Sequence, residues 1–309
     1  MISQKQMKEW IPEAVAGFKA AMPPINAPYP EIRIVTDKTM YAVRDEMLKL
    51  TGSLAETVPT DACMETLYGP DGHAILIYQK RFSGSRWERN AKEQFTHFLW
   101  HELGHFYVNS TEEPDFVRFL DQRFHEDEEE AQLGYLFWSE FIAEVIACKI
   151  TPAPAIDWKN FSYYPTRNAL YGYLNSAFNG KRNDWWYDLA FFFAKLLADK
   201  TTLSFIQAAR NGIVKVKRPG SLAEGIGIER EYTFEEAGID PTAKDPVVPI
   251  PLRSHMDELQ EQLSAMLSRD CYWIAKIDDL ISIGGYLSEI KFGIDYGNEV
   301  RLRDRLGLN

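Results

Sequence analysis

His101-Glu102-Leu103-Gly104-His105 puts two histidines four residues apart, with a carboxylate beside the first. On an α-helix, positions i and i+4 share a face about one turn apart, so both imidazoles reach one point. Two neutral imidazoles at that separation suit a single tetrahedral zinc ion. Glu102 stands where a carboxylate reaches a metal-bound water as general base. Gly104 leaves room for a close approach beside the histidines. The competing reading is a chance pentapeptide on a core helix, which a random chain of this length would carry on the order of once in a hundred times.

Upstream, Ser85-Arg86-Trp87-Glu88 has the spacing of a capping box and predicts a helix running to about Val108, with the histidines well inside it. Before it lies a β-rich run, residues 73–79, entered through the turn Gly69-Pro70-Asp71-Gly72. Residues 62–67 form a second expected strand and Ile32 to Val35 a third. Asp37 is expected to cap a helix reaching about Leu50. Residues 3–21 read as an amphipathic helix that stops at Pro23-Pro24.

Downstream, a loop spans residues 109–113 and Pro114 opens a short helix to about Phe124. The run Glu126-Asp127-Glu128-Glu129-Glu130 is either the solvated first turn of the next helix or an attractor of basic substrate. That helix continues to about Ile150 and ends at Pro152. With Glu140 at zero on its wheel, Leu133, Leu136, Phe137, Ala143, Glu144 and Ala147 fall within about 60°. Two carboxylates on an apolar face are expensive unless paired or bound to a cation. The alternative is a partly exposed helix with two ordinary surface glutamates. Residues 155–212 are aromatic-rich and mostly helical in pattern, 213–252 read as loops and a hairpin, 253–290 return to helix, and the tail 298–309 is charged and weakly patterned. The expected division is 1–150 and 151–309.

The 309 residues are 45% hydrophobic and 26% charged, enough for a sizeable core. A net charge of −11 argues against non-specific nucleic-acid binding, which needs a basic surface. Cys63, Cys148 and Cys271 are too few and scattered for a disulfide framework, which points to a reducing compartment. The N-terminus MISQKQMKEW lacks an apolar signal-type stretch, and no run approaches the ~18 apolar residues of a membrane span; Leu189 to Ala198 is short and broken by Lys195. A cytoplasmic protein without membrane contact is expected.

A catalytic zinc site needs three protein ligands and an open position. The downstream candidates are Glu126, Glu128, Glu129, Glu130, Glu140 and Glu144, of which the first four sit in the solvated run. The H-E-x-x-H pentapeptide resembles that of the zincin metallopeptidases. Glu140-Phe141-Ile142-Ala143-Glu144 is similar to the E-F/Y-x-A-D element of prenyl-protease-type gluzincins, with Glu at the last position in place of Asp. Residues 106–111, Phe-Tyr-Val-Asn-Ser-Thr, exclude the metzincin branch, which needs a further glycine and histidine there. The likeness covers about residues 73–150, about a quarter of the chain, and the membrane helices and lipidated substrates of the prenyl-protease relatives do not come with it.

The resemblance implies an α+β, zincin-like fold: a small mixed sheet, the motif helix, and a mainly helical C-terminal part completing the cleft. It implies Zn2+ held by His101, His105 and Glu140, with Glu144 supporting a ligand histidine and Glu102 as general base in peptide-bond hydrolysis. By the same resemblance the strand at 73–79 lies at the sheet edge and holds extended substrate, the alternative being an ordinary sheet strand. The partner is then a peptide or protein substrate. Two rivals stand beside this: a zincin-like regulatory or toxin-system protein with one specific partner, and a purely structural metal site without a water. His97, one turn before His101, reads as a cleft-lining or core histidine. His73, His125 and His255 are isolated. His255 or one of Tyr163, Tyr164, Tyr171, Tyr173 and Tyr187 is the candidate to stabilise an oxyanion.

Overall fold

The structure is a computed structural model that describes residues 2–53, 62–83, 91–111, 129–151, 185–198, 216–218, 230–232 and 250–306. It is α+β, with a small mixed sheet and mostly helices. Its contacts divide the chain into two compact units, Met1–Val117 with Ile142–Ala155 and Arg118–Phe141 with Ile156–Asn309. The division falls inside one unbroken helix, Glu129–Ile150.

In the first unit, helix α1 (Gln4–Ala21) starts at a complete capping box made by Ser3 and Gln6. Strand β1 (Glu31–Val35) follows, then helix α2 (Met40–Thr51). Asp37 does not cap α2. The cap position belongs to Thr39, and Asp37 pairs with Lys80 at 2.8 Å. Helix α2 stops at Gly52, whose φ of 68° is the left-handed conformation that glycine adopts without strain. Strands β2 (Met64–Gly69) and β3 (Gly72–Tyr78) make a hairpin through Pro70-Asp71, with Gly69 paired to Gly72.

The strand order is β1-β3-β2, with β1 parallel and β2 antiparallel to β3. The strand expected at the edge, residues 73–79, is therefore the central one. Both of its edges are consumed by pairing, and Ala74 to Tyr78 are all buried, so it cannot add a peptide. Among the described residues, β2 is the strand beside helix α3 that has a neighbour on one side only.

Alternation along the strands separates two faces. Ala74, Leu76 and Tyr78 pack with Val35, Leu67 and Met47 against α2. On that face Arg44 and Glu65 form a buried ion pair at 3.0 Å, and the Tyr78 hydroxyl donates to Glu65. Burial, and then the bond to Glu65, hold the Tyr78 phenol above its ordinary range. Removing one member of a buried pair strands the other charge. Arg44→Met is accordingly expected to destabilise the fold by about 3–5 kcal/mol, read from urea unfolding. A loss under about 1 kcal/mol would show that Glu65 has other compensation.

Helix α3 (Ala91–Thr111) covers the opposite face, where His73 meets Phe106 and Thr66 meets Glu102. Burial pulls the His73 imidazole below its usual range, so it sits there as a neutral, apolar-packed ring. Helix α1 packs on α3 through the Trp100 indole, which donates to the Ala14 carbonyl at 2.8 Å. Helix α3 is buried on nearly every side between Phe95 and Val108, enclosed by sheet and helices. The expected capping box at residues 85–88 lies outside the described residues.

The helix Glu129–Ile150 is α4. The second unit adds α5 (Trp185–Ala198), the short hairpin β4 (Val216–Arg218) and β5 (Arg230–Tyr232), α6 (Ile250–Leu267) and α7 (Ile277–Leu306). The tail expected to be weakly patterned continues α7 as far as Leu306. Leu259, Leu263 and Met266 of α6 and Leu280, Ile283 and Leu287 of α7 are buried. A two-pronged Arg269–Asp279 pair ties the turn between these helices and holds the Asp279 carboxyl below its ordinary range. Among the described residues no helix is long and apolar enough to cross a membrane.

Candidate metal centre

The i, i+4 spacing does on α3 what helix geometry dictates. The Nε2 atoms of His101 and His105 face each other at 3.2 Å. Two nitrogens bound to one tetrahedral zinc at 2.0–2.1 Å stand about 3.3 Å apart. The ring pair thus has the spacing of two ligands on one ion. Glu140 joins them: one ligand atom from each of His101, His105 and Glu140 lies within 4.8 Å of the others. Two imidazole nitrogens and a carboxylate oxygen are a donor set of the catalytic zinc kind.

Small residues make the approach possible. A Cβ on Gly104 would stand 3.0 Å from both the Cα and the carbonyl oxygen of Ala143. The backbones of α3 and α4 meet at this point, and α4 then carries Glu144 just beyond Ala143 and Glu140 one turn before Glu144.

Glu144 is 1% exposed, which removes the surface-glutamate alternative for that residue; Glu140 is half-buried. The Glu144 carboxylate has both oxygens engaged. Its Oε2 accepts from His101 Nδ1 at 3.0 Å and its Oε1 lies 2.9 Å from His97 Nε2. With Nδ1 of His101 donating, Nε2 keeps its lone pair and points at the place a cation would occupy. On the Glu140 face Phe137 and Ala147 are buried as expected, whereas Leu136, expected there too, is 39% exposed; on the other sides Phe141 and Ile142 are buried.

Glu102 is buried against β2 at Thr66. Its carboxylate oxygen Oε2 accepts a 2.6 Å bond from the Thr66 hydroxyl, and the same hydroxyl lies 3.1 Å from the Glu102 carbonyl. Thr66 is the partner that sequence reasoning did not bring to the site, and for His97, read as a cleft-lining or core histidine, it did not find the bond to Glu144. Thr66 stands 36 residues from Glu102 along the chain, and nothing local to either residue marks the pairing. His97 does carry a signal, since it lies one turn before His101 on the same helical face.

Glu129 begins α4 and Glu130 is exposed on its first turn; Glu126 and Glu128 lie outside the described residues. So do His125, Tyr163, Tyr164, Tyr171 and Tyr173. Tyr187 is on α5, 39% exposed and packed on Trp186 and Phe191, and His255 falls in α6. Among the described residues, the histidine, glutamate and cysteine side chains thus form clusters that could hold a metal ion. Compared with protein-family models, with curated proteins and with solved structures, the chain finds no match in any of the three.

Proposed function

We propose that the chain is a zinc-dependent metallopeptidase of the zincin type, gluzincin-like in its ligand set. The observation that carries this reading is the 3.2 Å separation of the two Nε2 atoms within reach of Glu140, with the Glu102 carboxylate beside the first histidine. His101, His105 and Glu140 would hold the ion. Zinc, when bound, supplies Lewis-acid polarisation of a carbonyl and a water acidified toward neutral pH. Glu102 is the general base that takes the water proton and returns it to the leaving amine. Thr66 holds Oε2 of that carboxylate, leaving Oε1 to carry the proton. Extended peptide substrate is proposed to add to the outer edge of β2 rather than to β3, since β2 adjoins α3. Cys63, Cys148 and Cys271 are not joined in disulfides, in keeping with a reducing, cytoplasmic setting.

The test is cleavage of a proteome-derived peptide library by the zinc-loaded protein. Hydrolysis is expected, lost with a chelator and regained with zinc. Turnover that survives removal of the metal overturns the reading. Thr66→Val tests the general base's support. Valine fits a strand and fills the same volume but cannot donate. Losing a hydrogen bond to a charged group is expected to lower kcat on the order of 10-fold or more, with zinc content unchanged. Parent kcat in this variant would show that Glu102 is held by other means.

A further inference from the structure

The remaining buried polar residue beside the ligands is His97, which is 7% exposed. Its surroundings fix where its protons are. The Thr151 hydroxyl gives its one hydrogen to the Ala147 carbonyl at 2.7 Å. Thr151 can therefore only accept from His97 Nδ1, 3.1 Å away, so Nδ1 carries a hydrogen. His97 Nε2 then faces Glu144 Oε1 at 2.9 Å, and the Cys148 thiol lies 3.7 Å from the same oxygen. A bare nitrogen and a carboxylate oxygen repel at that distance, so something positive lies between them, either a proton or a metal ion.

The distances choose between the two. His97, Glu144 and Cys148 do form a buried trio of metal-type donors. Yet two ligands of one tetrahedral zinc stand about 3.3 Å apart, as the His101 and His105 nitrogens do within 0.1 Å or so. The 2.9 Å separation is that of an ordinary N–H···O hydrogen bond. Both pairs are within hydrogen-bond reach, and the shorter His97–Glu144 contact is the one that a bridging proton accounts for by itself.

We infer that His97, backed by Thr151, is a positioning residue for the zinc site: it locks Glu144 so that Oε2 meets His101 Nδ1 and turns the unprotonated Nε2 of His101 to the metal. A glutamate has three rotatable bonds, and one hydrogen bond to His101 would leave it free to swing. His97 from α3 and Cys148 from α4 fix Oε1, and the carboxylate then spans one turn of α3 from His97 to His101. The inference rests on the zinc site proposed above.

The test uses the full chain loaded with zinc and titrated against a chromophoric chelator, with metal content and circular dichroism recorded in parallel. The parent should hold about one zinc, as the single ligand trio implies. His97→Ala should weaken zinc binding on the order of 10–100-fold at unchanged helix content, the usual range for partners behind a ligand. His97→Gln, whose amide reaches the position of Nε2 and donates to Glu144, should recover most of the loss. His97→Asn, whose amide reaches only the position of Nδ1, should not. In proton NMR the His101 Nδ1–H resonance should be protected in the parent and in His97→Gln and exchange-broadened in His97→Asn. Should His97→Ala fail to fold, the Gln and Asn pair still decides. Parent affinity in His97→Asn, or equal loss in Gln and Asn, overturns the inference while leaving the zinc site standing. Two zinc ions per parent chain also overturn it, since the second would sit where the clamp is drawn. A parent that binds no zinc overturns the site itself and this inference with it.

Discussion

Replacing His101 or His105 with alanine is expected to abolish zinc binding. A structural zinc site gains about 10–16 kcal/mol from four ligands, so one ligand is worth roughly 2.5–4 kcal/mol, on the order of a hundredfold to a thousandfold in affinity. With three protein ligands the loss of one leaves two, and a water cannot restore the fixed geometry. Glu140→Ala should fall in the same class, because its carboxylate is the third donor within reach of both rings. Glu144→Ala should be milder, on the order of 10–100-fold, because Glu144 touches His101 through Nδ1 and the metal only through that ring. Competition titrations of the four variants rank them. Full zinc occupancy in either histidine variant removes the site as drawn. A larger loss in Glu144→Ala than in Glu140→Ala exchanges the roles of the two glutamates.

Local features were read most directly from the sequence. The helix over residues 3–21, the Gly69 to Gly72 turn and the i, i+4 histidines all depend on residues within one helix or one hairpin. The short motif Glu140 to Glu144 pointed to a face of α4 whose Glu144 is deeply buried. What escaped depends on pairing across the chain. Nothing in residues 73–79 says that β1, some forty residues earlier, will lie parallel along one side while β2 takes the other, and so the central strand read as an edge. The Thr66–Glu102 bond has the same character: a threonine in a strand has many partners available to it, and only the packing of β2 on α3 selects one. Asp37 shows the converse, a residue with good local capping chemistry drawn instead to the distant Lys80, leaving Thr39 at the cap position. Where local preference is weak, tertiary packing decides.

The second large effect is expected from Glu102→Gln. Glutamine keeps the shape of the side chain, and its carbonyl oxygen can still accept from the Thr66 hydroxyl, so the buried surroundings of residue 102 stay satisfied. What changes is that an amide does not accept a proton at neutral pH. The variant is therefore expected to fold with parent Tm and hold about one zinc, as the ligands are untouched, while hydrolysis of the peptide library falls by about 10²–10⁴, the usual worth of a positioned acid or base. Three readouts separate the roles Glu102 could have. Loss of zinc would make it a ligand. Loss of Tm with parent kcat per folded molecule would make it a structural acid held for Thr66 alone. Parent turnover at parent stability would leave the water without a base in this site and would move the chemistry to another group. Only retained metal, retained fold and lost turnover together fit a carboxylate that is buried beside His101, held at one oxygen by Thr66, and left with the other to carry a proton from water to the departing amine.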